Sequence, residues 1–240
     1  MNSLSQVLHT LSYMGLPLLL AMVLHEYAHG WVANHYGDPT AQRMGRLTLN
    51  PLAHIDPFGS VILPLMCLLI PGGFFIGWAK PVPVDPRNLF NPRRHMALVA
   101  AAGPGMNLVL AIGSAFLLGG ILAVDPSLMA SWPPQPGQEP RRDLLGMILL
   151  PLAAMALYSV FINVLLMTFN LIPIPPLDGG RVLTSLLPLR PALALVRLEP
   201  YGMLIIVLLL VLDPQIHVIG TITGSLVTLM AKTILTTVLS

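Results

Sequence analysis

Two stretches of this 240-residue chain, about 95–124 and about 144–172, contain no Asp, Glu, Lys or Arg at all. Each exceeds the roughly 20 apolar residues that span a bilayer. Inside hydrocarbon every backbone N–H and C=O must find its partner within the segment, so stretches of this kind fold as helices. Composition extends the argument to the whole chain. Hydrophobic residues make up 55% and charged residues 9%, against roughly 25% charged in a soluble domain, and the mean hydropathy is +0.79. The expected fold class is an all-α polytopic membrane protein. Its twelve Lys and Arg are scattered over a net charge of +2, with no basic stripe of the kind that binds nucleic acid.

Apolar segments fall at about 7–36, 59–77, 95–124, 144–172, 201–212 and 215–238, which gives five to six hydrophobic segments. The second is short and ends in PGG, the pattern of a re-entrant element. Cytoplasmic loops are enriched in Lys and Arg. If 59–77 does not cross, one side collects Arg43, Arg46, Lys80, Arg87, Arg93, Arg94, Arg181, Arg190 and Arg197, and the other only Arg141 and Arg142. The expected orientation therefore places the 37–94 and 173–199 loops in the cytoplasm. The chain reads as a single integral-membrane domain over 1–240, with a core at about 7–185 and two C-terminal hydrophobic segments at about 199–238.

The first apolar run carries HEYAH, residues 25–29. Ionisable side chains are expensive in a membrane and mark function there. On a helix, His25 and His29 stand about 40° apart and one turn apart, so their imidazoles can meet at one metal ion. Glu26, one step round, can reach a water at that ion without being a ligand. A catalytic zinc needs a third protein ligand and an open position. Glu139 falls on the opposite side, and Glu199 sits in no ligand motif. Asp178, in NLIPIPPLDGG (170–180), is better placed, because the prolines end a helix and the paired glycines let the chain turn back. Asp56, in HIDP, is the fallback.

Taken together, HEYAHG, AAGPGMN (101–107) and NLIPIPPLDGG resemble the site-2 protease family of intramembrane zinc metalloproteases. GRLTLNPLAHIDPFG (45–59) and GWAKPVPVDPRNL (77–89) resemble its short bacterial and archaeal branch, without PDZ or CBS domains. The resemblance implies a three-helix catalytic core, here about 7–36, 95–124 and 144–172, with a short β-hairpin or re-entrant element after the first helix. It implies one catalytic Zn2+ held by His25, His29 and Asp178, Glu26 as the base, and Asn170 assisting at the substrate or oxyanion.

Three further residues are expected at the substrate: Asn107 in the GPGMN stretch, His54 at an entrance, and Thr48 in RLTLN (46–50). That alternating run could offer a strand edge to an unwound substrate segment. The expected function is intramembrane proteolysis of single-span membrane proteins in a prokaryotic cytoplasmic membrane, with the site reached from the cytoplasm. The alternatives are a membrane metal transporter, which predicts a longer trail of intramembrane polar residues, and a catalytically inactive zinc-bound binding protein, which has no use for Glu26. Nothing in the sequence fixes the oligomeric state.

Overall fold

The structure is a computed structural model that describes residues 4–62, 79–131, 143–217, 220–222, 224–229 and 233. The described residues are mostly helical and contain no strand. The helices are α1 (Leu4–His35), α2 (Thr40–Arg43), α3 (Pro92–Val124), α4 (Leu144–Asn170), α5 (Asp178–Leu186), α6 (Leu189–Val196) and α7 (Glu199–Ile216). By length and apolarity α3 and α4 can each cross a membrane, and a third crossing results if α6 and α7, bent by 48°, form one span. The chain is thus a helical membrane protein. Of the expected 59–77 element, residues 63–77 lie outside the described residues, as does most of 230–240.

The chain divides into two compact units, residues 1–21, 107–169 and 208–240, and residues 22–106 and 170–207. In the first unit α3 and α4 pack through small residues. Ala111 and Ala115 meet Val160 and Val164, and Ala153 and Ala156 meet Leu118, Ile121 and Leu122. Small side chains let helix backbones approach closely, which is how helices associate where lipid removes the hydrophobic driving force. Polar rungs join the same pair. Asn107 Nδ2 donates to Asn163 Oδ1 at 2.9 Å, and the Ser114 and Ser159 hydroxyls lie 2.7 Å apart, while within α4 Asn163 Nδ2 also donates to the Ser159 carbonyl at 2.8 Å.

In the second unit α1 ends in a tight reversal. Asp38 N donates to the Ala33 carbonyl at 2.9 Å, and Gly37 takes φ +104°, a left-handed conformation that favours glycine. A Cβ at Gly37 would also meet the Phe90 ring at 2.7 Å. Beyond this turn the chain folds into short turns closed by side-chain caps. Asn50 Oδ1 accepts from Leu52 N at 3.1 Å and starts the 3-10 turn Pro51–His54, and Asp56 Oδ1 accepts from Gly59 N at 2.7 Å and starts the turn Pro57–Ile62. Asp56, the fallback ligand, is thus a turn cap.

The expected strand at RLTLN is not formed. Residues 46–50 run as a bend, because Arg46 N and Leu47 N both donate to the Ala41 carbonyl and Asn50 N donates to its neighbour Thr48 Oγ1. A segment that closes its backbone bonds locally offers little edge to a partner strand. The segment 79–85 is extended, with Pro81 and Pro83 in it, and leads to the turn Pro86–Asn88. Ala33, Leu89 and Val99 form the apolar core here, with Val84 and Met96 packed against them.

Asp38 ties this unit together. Its side chain is fully buried and accepts from Asp85 N at 2.7 Å, Asn88 Nδ2 at 2.9 Å, Thr40 N at 3.1 Å and the Thr40 hydroxyl. Burial alone pushes a carboxyl pKa up, but the hydrogen bonds from Thr40, Asn88 and Asp85 outweigh it and hold Asp38 below the usual carboxylate range. In Asp38→Asn one acceptor oxygen becomes a donor facing donors, which should cost about 1–3 kcal/mol in thermal or denaturant unfolding at neutral pH. Because the folded-state pKa is the lower one, the wild type's advantage is present above about pH 4 and shrinks as pH falls further, through the folded pKa. Equal stability of the two proteins at pH 7 would contradict this account.

Candidate metal centre

The centre is built by two helices and the turn before one of them. On α1, His25 and His29 share a face and their rings meet edge to face with centroids 4.7 Å apart. Their Nε2 atoms are 3.1 Å apart. Asp178, the first residue of α5, brings its Oδ2 to 3.2 Å from His25 Nε2 and 3.3 Å from His29 Nε2. All three residues are buried, at 7%, 8% and 6% exposure.

The turn 171–177 delivers Asp178. Chain direction changes within seven residues after α4, and the glycines that follow the aspartate permit the close approach. A Cβ on Gly179 would collide with the Leu171 and Ile172 carbonyls, and one on Gly180 with Pro175. Neither glycine has a positive φ. They are needed for their lack of a side chain, rather than for the sharp turn anticipated from the sequence.

Hydrogen bonding settles which atoms face inward. His29 Nδ1 lies 2.7 Å from the Val99 carbonyl on α3, and since a carbonyl only accepts, Nδ1 carries the proton. In neutral His29 the Nε2 lone pair then points at His25 and Asp178. Asp178 Oδ2 is buried and has no hydrogen-bond partner. An orphaned buried anion beside an inward-facing imidazole lone pair calls for a cation. Ligand atoms held about 2.0–2.2 Å from a tetrahedral zinc stand about 3.3–3.6 Å from one another, and the three separations here, 3.1, 3.2 and 3.3 Å, lie at the short end of that spacing. His25, His29 and Asp178 can thus hold one metal ion together.

The space for it is kept by a residue that the sequence reading left without a role. Gly103 lies on α3, one turn beyond Val99, and a Cβ there would stand 2.6 Å from His25 Nε2 and run into His29 Nε2. A glycine within a charge-free helical stretch, in GPG, was the available signal. Glu26 points to the segment 79–85, where its Oε2 accepts from Val82 N at 2.8 Å. Asn170 is the last residue of α4, half-buried, immediately before the turn that delivers Asp178.

The three residues expected to line the substrate are engaged elsewhere. Asn107 is fully buried, in the other unit, where it joins Asn163 and the Ala21 carbonyl. In a membrane interior an amide needs such a partner, and a helix–helix bond accounts for the residue. His54 is also buried and donates from Nε2 to the Thr48 carbonyl at 2.8 Å. Thr48 Oγ1 accepts from Asn50 N at 3.1 Å. These bonds brace the 46–54 loop.

Comparisons with known proteins agree with this centre. The family profile described as "Peptidase family M50" matches residues 13–212. The chain is 35% identical over 206 residues to "Putative zinc metalloprotease YwhC" of Bacillus subtilis (strain 168), covering 85% of this chain and 82% of that protein. It is 31% identical over 214 residues to "Putative zinc metalloprotease Rip2" of Mycolicibacterium smegmatis, covering 86% of this chain and 72% of the relative. No solved structure matches. A profile match over most of the chain, with relatives aligned across most of both lengths, establishes that this chain belongs to peptidase family M50, the site-2 protease family of metalloproteases.

Proposed function

We propose that the chain is an intramembrane zinc endopeptidase that hydrolyses peptide bonds in or near the transmembrane segments of single-span membrane proteins. The observation that carries this reading is the buried triangle of His25, His29 and Asp178 with Glu26 next to it on α1. In this reading His25, His29 and Asp178 hold one zinc ion. When bound, zinc supplies Lewis acidity, which acidifies water and polarises a carbonyl.

The chain's own groups do the rest. Glu26 takes a proton from the attacking water as its oxygen bonds to the scissile carbonyl carbon, and returns it to the amine nitrogen as the C–N bond breaks. Asn170, beside the turn that carries Asp178, offers an amide to the developing oxyanion. His29 keeps its lone pair inward because Val99 holds its other nitrogen. The excess of basic residues in the 37–94 and 173–199 loops supports a cytoplasmic entrance for water, in a prokaryotic cytoplasmic membrane.

Purified protein incubated with a panel of single-span substrates tests the reading. Glu26→Gln should lower kcat by about 10²–10⁴-fold while the protein retains one zinc by elemental analysis. Wild type that holds zinc and cuts nothing would favour a binding protein, and wild type that holds no zinc when it is supplied would end the proposal. A second expectation concerns the space for the ion. Gly103→Ala places a methyl group among the ligand atoms, so zinc content should fall well below one per chain although no ligand is changed. Full zinc occupancy in Gly103→Ala would refute this assignment of the centre.

A further inference from the structure

We infer that Arg46 is a positioning residue for Glu26, acting through the extended segment 79–85. This rests on the proposed role of Glu26 as base and adds how its carboxylate is aimed. A glutamate side chain has three rotatable bonds, and helix α1 fixes only its root. Among the described residues, the hydrogen bond that fixes its far end comes from Val82 N, at 2.8 Å to Oε2.

The sequence AKPVPVD (79–85) suits that donor to its task. Proline fixes φ and lacks an N–H, and it forces the residue before it into extended conformations. Pro81 and Pro83 therefore stiffen the segment on both sides of Val82 and leave Val82 with the one amide between them. A donor so placed cannot join a continuous ladder with another strand. Between the two prolines it is the single N–H of a stiff rod.

The rod is pinned at several points. Near its start, Lys80 N donates to the His54 carbonyl at 2.9 Å, and at its end Asp85 N donates to Asp38 at 2.7 Å. Between them Arg46 Nη2 donates to two successive carbonyls, Lys80 O at 2.8 Å and Pro81 O at 3.3 Å. Pro81 O belongs to the same peptide group as Val82 N, so Arg46 grips one side of the amide plane whose other side holds Glu26. Val82 itself seats on α1 at Gly30, one turn beyond Glu26 on the same face, where an added Cβ would stand 3.0 Å from Val82 Cγ1. Guanidinium, peptide plane and carboxylate thus form one relay, and moving its first member moves the last.

The test uses the full-length chain in nanodiscs with a single-span substrate that wild type cuts, together with zinc content and hydrogen exchange at the Val82 amide. A misplacement near 1 Å costs up to about a hundredfold in rate, so Arg46→Gln should lower kcat about ten- to a hundredfold. KM and zinc content should stay near wild type, and Val82 exchange should accelerate. Arg46→Lys, which can still donate to a carbonyl, should recover part of kcat. Asp38→Asn loosens the same segment at its far end and should keep wild-type kcat despite lower stability.

An Arg46→Gln protein with wild-type kcat or with wild-type Val82 protection would overturn the inference. So would an equal kcat loss in Asp38→Asn, which would reduce Arg46 to one brace among several. If Arg46→Gln does not fold, Gly30→Ala displaces Val82 from the α1 side, and unchanged kcat there counts against the relay. Wild type that cuts no substrate speaks against the proposed function instead. Exchange then decides the relay alone: Val82 protection indifferent to both Glu26→Gln and Arg46→Gln overturns it.

Discussion

Three potential ligand atoms held within 3.3 Å of one another in a buried place are the constraint around which this protein is organised. Burial removes the water that would otherwise separate and solvate them. The arrangement persists because it is imposed from outside: helical spacing sets two of the groups, a packed proline-rich turn sets the third, and α3 fixes the tautomer through Val99. One cation placed among them would meet all three at once. The cost of assembling the ligands is thus met in folding, before any metal or substrate arrives.

Much of this preorganisation is done by backbone rather than side chains. The Val99 carbonyl orients His29, the Val82 amide restrains Glu26, and the absence of a side chain at Gly103, Gly179 and Gly180 gives the room. A backbone group has little freedom once its helix or extended segment is packed. In a membrane protein it has a further merit, since it adds no new ionisable group near the hydrocarbon.

What was legible in the sequence follows from this division of labour. The closeness of His25 and His29 was readable because helical periodicity alone brings i and i+4 together. Asp178 was readable because prolines and glycines mark the place where a helix must end and the chain return. The helical membrane class followed from two charge-free stretches that can satisfy their backbones in no other way. What the sequence left open lies where tertiary partners decide the outcome. RLTLN alternates like a strand, yet Ala41 and Thr48 capture its amides locally. On sequence alone Asn107 suits a substrate contact or a helix–helix bond about equally, and it is Asn163, 56 residues away, that takes its hydrogen bond. Asp56 could not be told from a ligand by type or spacing, only by the two amides it caps. Gly103 and Val82 escaped notice because backbone partners and vacant volume leave no pattern in residue type.

The rungs between α3 and α4 have a mechanical side. Asn107–Asn163 and Ser114–Ser159 sit about two helical turns apart along α3, and each joins groups that hydrocarbon cannot solvate. Sliding or rotating one helix against the other would strip both at once, with no water at hand to compensate. In their unit the two helices therefore behave as a rigid plate.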